Sequence, residues 1–214
     1  MKKEIYWSRF ATDFEKRNAY VIGEADFNLV KARVAEQKKL GRVLELGCGN
    51  GTYSELIAPQ ASRVLATDYS DEMVAVAKEK LKPFSNVRVE KRNCFKTGYG
   101  DNAFDTVMMI NLLHIIPNPL AALEEAARVL KPGGKIMVLS FTTAGMALRH
   151  KLSMVYRYLK TYGKPPVDGR HIDTKSMRDL LLRTGFTVEE TVLIGRRSKA
   201  VWARGVCMNA KPEV

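Results

Sequence analysis

Hydrophobic and polar positions alternate in a regular order between residues 42 and 141. Short apolar runs, typical of buried strands, alternate with segments in which apolar residues recur every three or four positions, as on one face of a helix. The runs predict strands at 42–46, 63–67, 86–90, 104–110 and 135–141, and the periodic segments predict helices at 52–58, 71–82 and 119–130. Repeated strand–helix–strand winding predicts a doubly wound, mostly parallel α/β sheet with helices on both faces.

The first 40 residues predict helices only. Tyr6, Phe10 and Phe14 share one helical face at i, i+4 spacing, and residues 24–40 predict a second helix that ends at Gly41. The aromatic face either packs on the main domain or folds over a pocket. We therefore expect an N-terminal helical lid over residues 1–40.

After residue 141 the pattern changes. Residues 144–161 predict a basic amphipathic helix, and a Gly/Pro-rich loop at 163–171 leads to a helix at 174–184. The amphipathic helix carries Leu148, Leu152, Val155 and Leu159 on one side and Arg149, Lys151, Arg157 and Lys160 around it. Two strands, 186–194 and 199–208, predict a C-terminal hairpin. We expect one domain over 1–214, divided into the lid (1–40), a central sheet (41–141), covering helices (142–185) and the hairpin (186–208).

Composition fits one globular α/β domain. The 214 residues are 46% hydrophobic and 27% charged, and no apolar run reaches the roughly 18 residues of a membrane span. Cys48, Cys94 and Cys207 are odd in number and form no Cys-x-x-Cys pair. They indicate neither disulfides nor a metal site, and a reducing cytoplasm is the expected location.

The net charge of +12 is concentrated near the C-terminus. Residues 1–140 hold 21 basic and 17 acidic residues, a net +4, whereas residues 141–214 hold 14 and 6, a net +8. A basic segment could face nucleic acid, an anionic membrane or an acidic substrate, or be solvated surface.

A glycine-rich turn follows the first predicted strand. Gly47, Gly49 and Gly51 alternate after Glu45, which indicates a backbone that a ligand approaches closely. The dinucleotide fingerprint requires a sixth-position glycine where Thr52 stands, and the phosphate-binding Gly-Lys-Ser/Thr ending is absent.

The strands that follow supply partners for a nucleoside. Asp68 closes the second strand, where a carboxylate can accept both hydroxyls of a ribose. Tyr69 and Met73 offer an apolar surface for a purine, and the amide of Asn93 can both accept from and donate to its edge. Because the carboxyl ends of parallel strands share one sheet edge, these residues predict an adenosine pocket without a pyrophosphate site.

At this point the chain resembles the class I S-adenosylmethionine-dependent methyltransferases, above all the small-molecule branch that includes quinone-biosynthesis enzymes. The resemblance covers about residues 42–141 and rests on Glu45-Leu-Gly-Cys-Gly-Asn-Gly51, Asp68-Tyr-Ser-Asp-Glu-Met73, Asn93-Cys-Phe95, Phe104-Asp105, Asn111-Leu-Leu-His114 and Arg128-Val-Leu-Lys-Pro-Gly-Gly134. It implies a Rossmann-like sheet of seven strands with the last strand antiparallel. Many relatives carry Asp at the position of Asn93.

The resemblance also implies a cofactor site for S-adenosylmethionine, with S-adenosylhomocysteine as the product. Gly47 and Gly49 would lie beneath the methionine part, and Asp68 would bind the ribose. The adenine would be surrounded by Tyr69, Met73, Asn93 and Cys94, and the floor near the sulfonium would be formed by Asn111 and Leu112. The predicted cofactor-binding set also includes Glu45, Cys48 and Phe95.

Methyl transfer from a sulfonium needs alignment and exclusion of water more than a protein nucleophile. Some acceptors also need a base, and His114 is the candidate because it follows the end of a strand; the alternative is a packed or helix-capping histidine. The residues expected to cover the substrate are Tyr6, Phe10, Tyr162, Arg170 and His171. No metal is predicted.

The expected function is methyl transfer to a small-molecule acceptor, with a hydrophobic or lipid-like molecule as one option. One alternative is a nucleic-acid methyltransferase, motivated by the basic tail, although Asn111-Leu-Leu-His114 is not the Asn/Asp-Pro-Pro-aromatic motif used on base amines. Another is a non-catalytic module that binds the cofactor, or an anionic membrane through helix 144–161.

Overall fold

The computed structural model describes residues 3–165 and 169–208, with side chains from Tyr6 onward. Part of the predicted Gly/Pro-rich loop, residues 166–168, therefore lies outside the described residues, as do residues 1–2 and 209–214. The helices are α1 (Lys3–Ser8), α2 (Phe14–Ile22), α3 (Glu24–Ala35), α4 (Thr52–Ile57), α5 (Asp71–Leu81), α6 (Pro119–Val129), α7 (Leu148–Tyr162) and α8 (Thr174–Arg183). The strands are β1 (Gly41–Leu46), β2 (Ala61–Asp68), β3 (Val87–Lys91), β4 (Phe104–Ile110), β5 (Leu130–Thr142), β6 (Phe186–Ile194) and β7 (Lys199–Cys207).

The strands form one seven-stranded sheet in the order β3-β2-β1-β4-β5-β7-β6. The pairs from β3 to β5 are parallel, and β7 runs antiparallel to both β5 and β6. The fold class predicted from the sequence is confirmed, including the antiparallel last strand. The strand order reverses direction between β1 and β4, where an open α/β sheet leaves a crevice at its carboxyl edge.

Apolar side chains fill both faces of this sheet. Helices α6 and α8 pack on one face around Leu123, Met177 and Phe104, and helices α3, α4 and α5 pack on the other around Val34 and Ile57. A third cluster joins α1 and α2 to α7 through aromatic rings. Within the described residues, no helix combines the length and the apolar character needed to cross a bilayer.

The predicted aromatic helix at the N-terminus is wrong in one respect, because the chain bends after α1. A 3-10 turn at Ala11–Asp13 separates α1 from α2, so Tyr6, Phe10 and Phe14 do not lie on one continuous helix. The bend lets the rings of Tyr6 and Phe10 meet edge to face at 5.9 Å, and Phe10 meets Tyr162 at 5.0 Å. Tertiary packing of aromatic rings has overridden the local helical spacing.

Two other predicted helices begin or end elsewhere. Helix α3 ends at Ala35 rather than at residue 40, because the chain turns through Lys39 at φ +55° to bury Leu40 beneath β1. Helix α7 begins at Leu148 rather than at residue 144, because Gly145 has φ +69°, outside the helical region. The strand predicted at 135–141 begins at Leu130, with a register shift against β4 that accommodates residues 131–134.

Candidate active site

A cleft of about 770 Å³ opens at the carboxyl ends of β1, β2, β4 and β5. This volume lies within the range of small-molecule sites. Most residues predicted for the cofactor line it, namely Gly47, Gly49, Asp68, Tyr69, Met73, Asn93, Cys94, Phe95, Asn111 and Leu112. His114, Tyr162, Arg170 and His171 line the same cleft.

The glycine turn exposes bare backbone to this cleft. Gly47 has φ +71°, and a Cβ built there would lie 2.7 Å from Cδ1 of Leu112. Gly49 has φ +55°, and the N–H of Cys48 between them donates to the carbonyl of Thr67 at 2.8 Å. A side chain at position 47 would therefore both strain the backbone and displace the cleft floor.

Asp68 is held at the end of β2 by backbone donors. The N–H of Gly49 donates to its Oδ2 and the N–H of Ser70 donates to its Oδ1, both at 2.9 Å. Burial raises the pKa of this carboxyl, although the hydrogen bonds act in the opposite direction. Each carboxylate oxygen retains acceptor capacity toward the cleft, as binding of vicinal hydroxyls requires.

Glu45 and Cys48 lie behind the cleft surface rather than on it. Glu45 is fully buried, with Ser54 Oγ donating to its Oε2, whereas its Oε1 has no hydrogen-bond partner. Burial raises the pKa of Glu45 to about 7. The hydroxyl of Tyr53 is a second buried polar atom without a partner. Cys48 is buried among core residues, and burial raises the pKa of its thiol well above the usual value.

The edge of the cleft beside β2 and β3 combines apolar and amide groups. Met73 is buried, whereas the ring of Tyr69 is 47% exposed, which leaves it accessible to a flat ligand in the cleft. Asn93 forms a tight turn in which its Oδ1 accepts the N–H of Phe95 at 2.9 Å. Because Oδ1 is used in this turn, the side chain of Asn93 can still donate to a ligand through its N–H₂ group.

Residues 111–114 form the floor between β4 and β5. Asn111 adopts φ +59°, its N–H donates to the carbonyl of Leu139 at 2.7 Å, and its Oδ1 accepts the N–H of Phe141 at 3.1 Å. This turn directs Leu112 under Gly47 and places His114 in the cleft wall. Nδ1 of His114 is buried without a partner, and burial lowers the pKa of the ring to about 4.

Aromatic side chains of α1, α2 and α7 close the opposite wall. Sequence reasoning missed several cleft residues of this wall, namely Trp7, Phe14, Asn18, Met154 and Tyr158. Tyr6 and Phe10, which were expected to cover the substrate, do not line the cleft but lie buried behind it. Met154, Tyr158 and Tyr162 are spaced i, i+4, i+8, a signal that could have identified the inner face of α7.

The segment before α8 closes one end of the cleft. The N–H of Arg170 donates to the carbonyl of His114 at 2.9 Å, and its Nη2 donates to the carbonyl of Pro117 at 2.6 Å. His171 lies with Nε2 3.4 Å from Oγ1 of Thr142. Among the described residues, no group of three or more His, Cys, Asp or Glu side chains is arranged to hold a metal ion.

The profile of a family described as "Methyltransferase domain" matches residues 44–138. The chain is also 31% identical over 213 residues to a demethylmenaquinone methyltransferase of Lactococcus lactis, covering 88% of this chain and 82% of the relative. The chain belongs to the class I S-adenosylmethionine-dependent methyltransferases. The resemblance drawn from its motifs is therefore confirmed.

Other curated relatives of this methyltransferase are matched over shorter stretches. A demethylmenaquinone methyltransferase of Clavibacter sepedonicus is 33% identical over 107 residues, covering 50% of this chain and 44% of the relative. The ubiquinone/menaquinone biosynthesis C-methyltransferase UbiE of Hydrogenovibrio crunogenus is 31% identical over 168 residues, covering 69% of this chain and 66% of the relative. In these two cases the chain spans about half to two thirds of the relative's length.

Solved structures confirm the fold. An S-adenosylmethionine-dependent methyltransferase of Aquifex aeolicus is 23% identical with a TM-score of 0.63, covering 87% of this chain and 92% of that one. The [4+2]-cyclase SpnF is 19% identical with a TM-score of 0.69, covering 86% and 82% of the two chains. Because the same fold supports different reactions, the reaction must be argued from the site.

The cleft of this methyltransferase fits the cofactor that its family implies. The Gly47 turn has no room for a side chain, as close approach of a ligand to backbone requires. Glu45, which lies near the end of the strand before that turn, is buried behind it and keeps one unpartnered oxygen, Oε1. Asp68, Met73 and Asn93 supply hydroxyl, ring and amide partners along the same wall.

Proposed function

We propose that this chain transfers the methyl group of S-adenosylmethionine to a small apolar, aromatic acceptor of the quinone type. The observation that carries the proposal is that one cleft combines the Gly47–Asp68 wall with a wall of aromatic rings. The names of the demethylmenaquinone relatives support the choice of acceptor. When bound, S-adenosylmethionine supplies a methyl group already activated by the sulfonium.

Residues of the Gly47–Asp68 wall would bind the cofactor and orient it. Asp68 would accept the ribose hydroxyls, because its two oxygens are already positioned by backbone donors. Glu45, buried behind the cleft surface, would support this wall from behind through Ser54 on α4. Gly47 and Leu112 would shape the floor at the methyl group. Such positioning supplies most of the rate when the leaving group is already activated.

The aromatic wall suits a flat, apolar acceptor. Trp7, Phe14 and Tyr162 form a connected set of rings with centroid separations of 5.9 Å (Trp7–Phe14) and 5.5 Å (Trp7–Tyr162), and all three line the cleft. Edge and face contacts with a quinone-type ring would hold it while excluding water. This arrangement favours a small acceptor over a nucleic-acid strand, which would need an open basic groove.

His114 would accept the proton that the acceptor releases. Its ring lines the cleft, the lowered pKa keeps the imidazole uncharged at neutral pH, and its Nδ1 has no hydrogen-bond partner within the described chain. When a reduced quinone carbon takes the methyl group, its C–H bond breaks and one proton must leave. A neutral imidazole with a free nitrogen is able to receive that proton.

The direct test is release of S-adenosylhomocysteine with a reduced naphthoquinone bearing a short isoprenoid tail. We expect turnover with this acceptor and none with RNA or without acceptor. His114→Asn should lower kcat at least about tenfold, with little change in KM, because proton acceptance acts in the transition state. His150→Asn is the matched control, since His150 lies on α7 outside the cleft lining.

A His114→Asn enzyme with unchanged kcat would remove the proton-accepting role and leave the histidine as wall packing. Binding of S-adenosylhomocysteine without turnover of any reduced quinone would overturn the choice of acceptor. Absence of that binding would overturn the proposed reaction itself.

A further inference from the structure

Helix α7 has two faces, and only one of them is used by the cleft. Its inner face presents Met154, Tyr158 and Tyr162 to the cleft and to the aromatic rings of the lid. Its outer face presents Leu148 and Leu152 to solvent, with 70% and 62% of their surface exposed. Exposed leucines carry meaning where they belong to a contiguous apolar patch, because such patches mark surfaces that bind a membrane or another molecule.

The exposed apolar residues of α7 form one continuous stripe. Leu148, Leu152, Val155 and Leu159 recur at i, i+4, i+7 and i+11, so they lie in line along a helix about 22 Å long. Val155 is 45% exposed and Leu159 is 49% exposed. Tyr156, 65% exposed, lies beside the stripe. The sequence predicted this apolar side, and the structure shows that the rest of the described chain leaves it uncovered.

The charges around the stripe are of one sign. Helical spacing places Arg149 and Lys160 on one side of the stripe and Lys151 on the other. Residues 141–165 contain five Lys and Arg and no Asp or Glu. Within the described part of the chain, none of Arg149, Lys151 and Lys160 lies within ion-pairing distance of a carboxylate.

We propose that the outer face of α7 docks on an anionic membrane surface. An apolar stripe bordered by cations matches the interface of a bilayer, where acyl chains receive the leucines and anionic headgroups receive the cations. A protein partner would need a matching acidic and apolar groove, and a nucleic acid would leave the leucines without a partner. An anionic membrane surface provides partners for both the apolar stripe and the cations that border it.

The docking surface also lies next to the cleft. Arg157, on the same helix, donates to the carbonyl of Tyr20 at 2.9 Å and so ties α7 to α2, which carries the cleft residue Phe14. Docking through α7 would therefore hold the aromatic wall of the cleft near the bilayer surface. The inference concerns binding alone and does not depend on the proposed reaction.

The test is co-sedimentation of the full chain with vesicles of phosphatidylcholine alone and of phosphatidylcholine mixed equally with phosphatidylglycerol. We expect binding to the mixed vesicles, weaker binding to the neutral ones, and a loss of binding as salt is raised. Arg149→Glu/Lys151→Glu/Lys160→Glu should lower partitioning to mixed vesicles at least about tenfold. Leu152→Ser/Leu159→Ser should lower it by a similar factor, because the apolar contact is lost.

Matched controls separate the α7 surface from general effects. Lys38→Glu/Lys78→Glu/Lys82→Glu changes the net charge equally at exposed lysines elsewhere, and Leu29→Ser/Leu182→Ser removes leucines that are 39% and 48% exposed. Both controls should stay within about twofold of the unchanged protein. Circular dichroism should show all four variants folded, because every substituted side chain is on the surface or partly exposed.

Three results would overturn the proposal. The unchanged protein could remain in the supernatant with both vesicle types, or the lysine control could lose as much binding as the α7 charge variant. Light scattering could instead show a dimer that dissociates in Leu152→Ser/Leu159→Ser while vesicles bind none of the proteins, which would assign the stripe to a second copy of the chain.

Discussion

Gly47 packs tightly against Leu112 at the cleft floor. Its φ of +71° lies in the left-handed region, and a Cβ there would come within 2.7 Å of Leu112. Gly133 has the same φ of +71° but no atom within 4 Å of such a Cβ. Comparing alanine substitutions at Gly47 and Gly133 therefore separates the cost of the backbone conformation from the cost of a steric clash with Leu112.

We predict that Gly47→Ala destabilises the protein by about 1–3 kcal/mol more than Gly133→Ala, because both pay the backbone strain and only the first displaces Leu112. The affinity for S-adenosylhomocysteine should fall with Gly47→Ala and stay unchanged with Gly133→Ala. Urea unfolding and titration calorimetry measure the two effects. Equal losses of stability in both variants would show that Leu112 moves aside at no cost.

Glu45 is a buried carboxyl whose protonation favours the folded state. Burial raises its pKa to about 7 from an ordinary 4.5, and nearby Asp68 adds to the rise. A raised folded-state pKa contributes stability that is complete below pH 4.5 and is lost as the pH rises through 7. A glutamine in its place does not titrate.

We therefore predict that, between pH 4.5 and pH 8, the free energy of unfolding of Glu45→Gln rises by roughly 3 kcal/mol relative to that of the unchanged protein. Urea unfolding at a series of pH values measures the difference. Glu36→Gln, at an exposed residue, should run parallel to the unchanged protein throughout. If the stability of Glu45→Gln also ran parallel to that of the unchanged protein at every pH, the pKa of Glu45 would have its ordinary value.

At the scale of elements, one ion pair attaches the lid to a helix that packs on the central sheet, and a second joins two helices of the lid. Glu15 on α2 accepts from Lys80 on α5 at 2.6 Å and from Lys31 on α3 at 2.9 Å. Burial opposes ionisation of Glu15, but these two lysines more than offset it and lower its pKa to about 2. Because the pKa is lowered, the attachment is complete above pH 4.5 and is lost as the pH falls toward 2.

We predict that Glu15→Gln loosens α2 without unfolding the sheet, because the lysines lose their shared carboxylate. Hydrogen exchange should speed up in residues 14–22 and stay unchanged in β4, and limited proteolysis should cut near the lid first. Glu24→Gln, on an exposed residue of α3, is the control. If exchange rose equally in β4, Glu15 would support the whole fold and not the lid alone.

The C-terminal hairpin is fastened to the same group of helices. The carboxylate of Asp26 on α3 accepts the N–H groups of Arg196, Arg197 and Ser198 at 2.6, 3.0 and 2.7 Å. Charged acceptors make strong hydrogen bonds, and the three donors lie in a turn that would otherwise bury them unpaired.

Asp26→Ala should therefore cost about 3 kcal/mol in the free energy of unfolding, because three partly buried donors lose their acceptor. Asp26→Asn should cost less, since the amide oxygen still accepts. Chemical unfolding of both variants measures the order. Equal costs for Ala and Asn would indicate that the charge, rather than the acceptor, matters.

At the scale of the whole molecule, we expect the cleft to select a nucleoside without phosphates. The glycine turn lacks the sixth-position glycine and the phosphate-binding lysine, and Asp68 lines the cleft, where we propose that it accepts ribose hydroxyls. A ligand bound only by the folded state at 100 times its Kd adds about 2.7 kcal/mol to stability. For a chain of this size, that corresponds to a rise in Tm of about 5–10 °C.

We predict this rise for S-adenosylhomocysteine and no measurable rise for NAD or ATP at equal concentration. Asp68→Ala should abolish the shift, because the ribose acceptor is gone. Differential scanning calorimetry gives the readout. A comparable rise with ATP would contradict the absence of a phosphate-binding site.

The central sheet and one wall of the cleft were predictable from the sequence. Strands β1 to β5 are short apolar runs, and the residues that follow them meet because parallel strands end at one edge. Gly47, Asp68, Asn93 and Asn111 could thus be assigned to one place from chain order alone. The capping serine of α5 and the glycine turn act over a few residues, which is the range that sequence patterns describe.

The other wall depended on contacts between distant segments. Trp7 and Phe14 reach the cleft only because the chain bends between α1 and α2, and that bend is stabilised by rings of α7 some 150 residues away. No local pattern specifies such a contact. Equally, hydrophobic periodicity showed that α7 has an apolar side, but packing decided that the side stays exposed.

The sequence by itself determined the sheet, the glycine turn and the residues that gather at the carboxyl edge of the strands, because each follows from spacing within one or two elements. Only the tertiary structure decided which aromatic rings close the cleft, where Glu45 is buried, and which face of α7 remains uncovered. These depend on long-range packing, where many weak contacts compete with local preference.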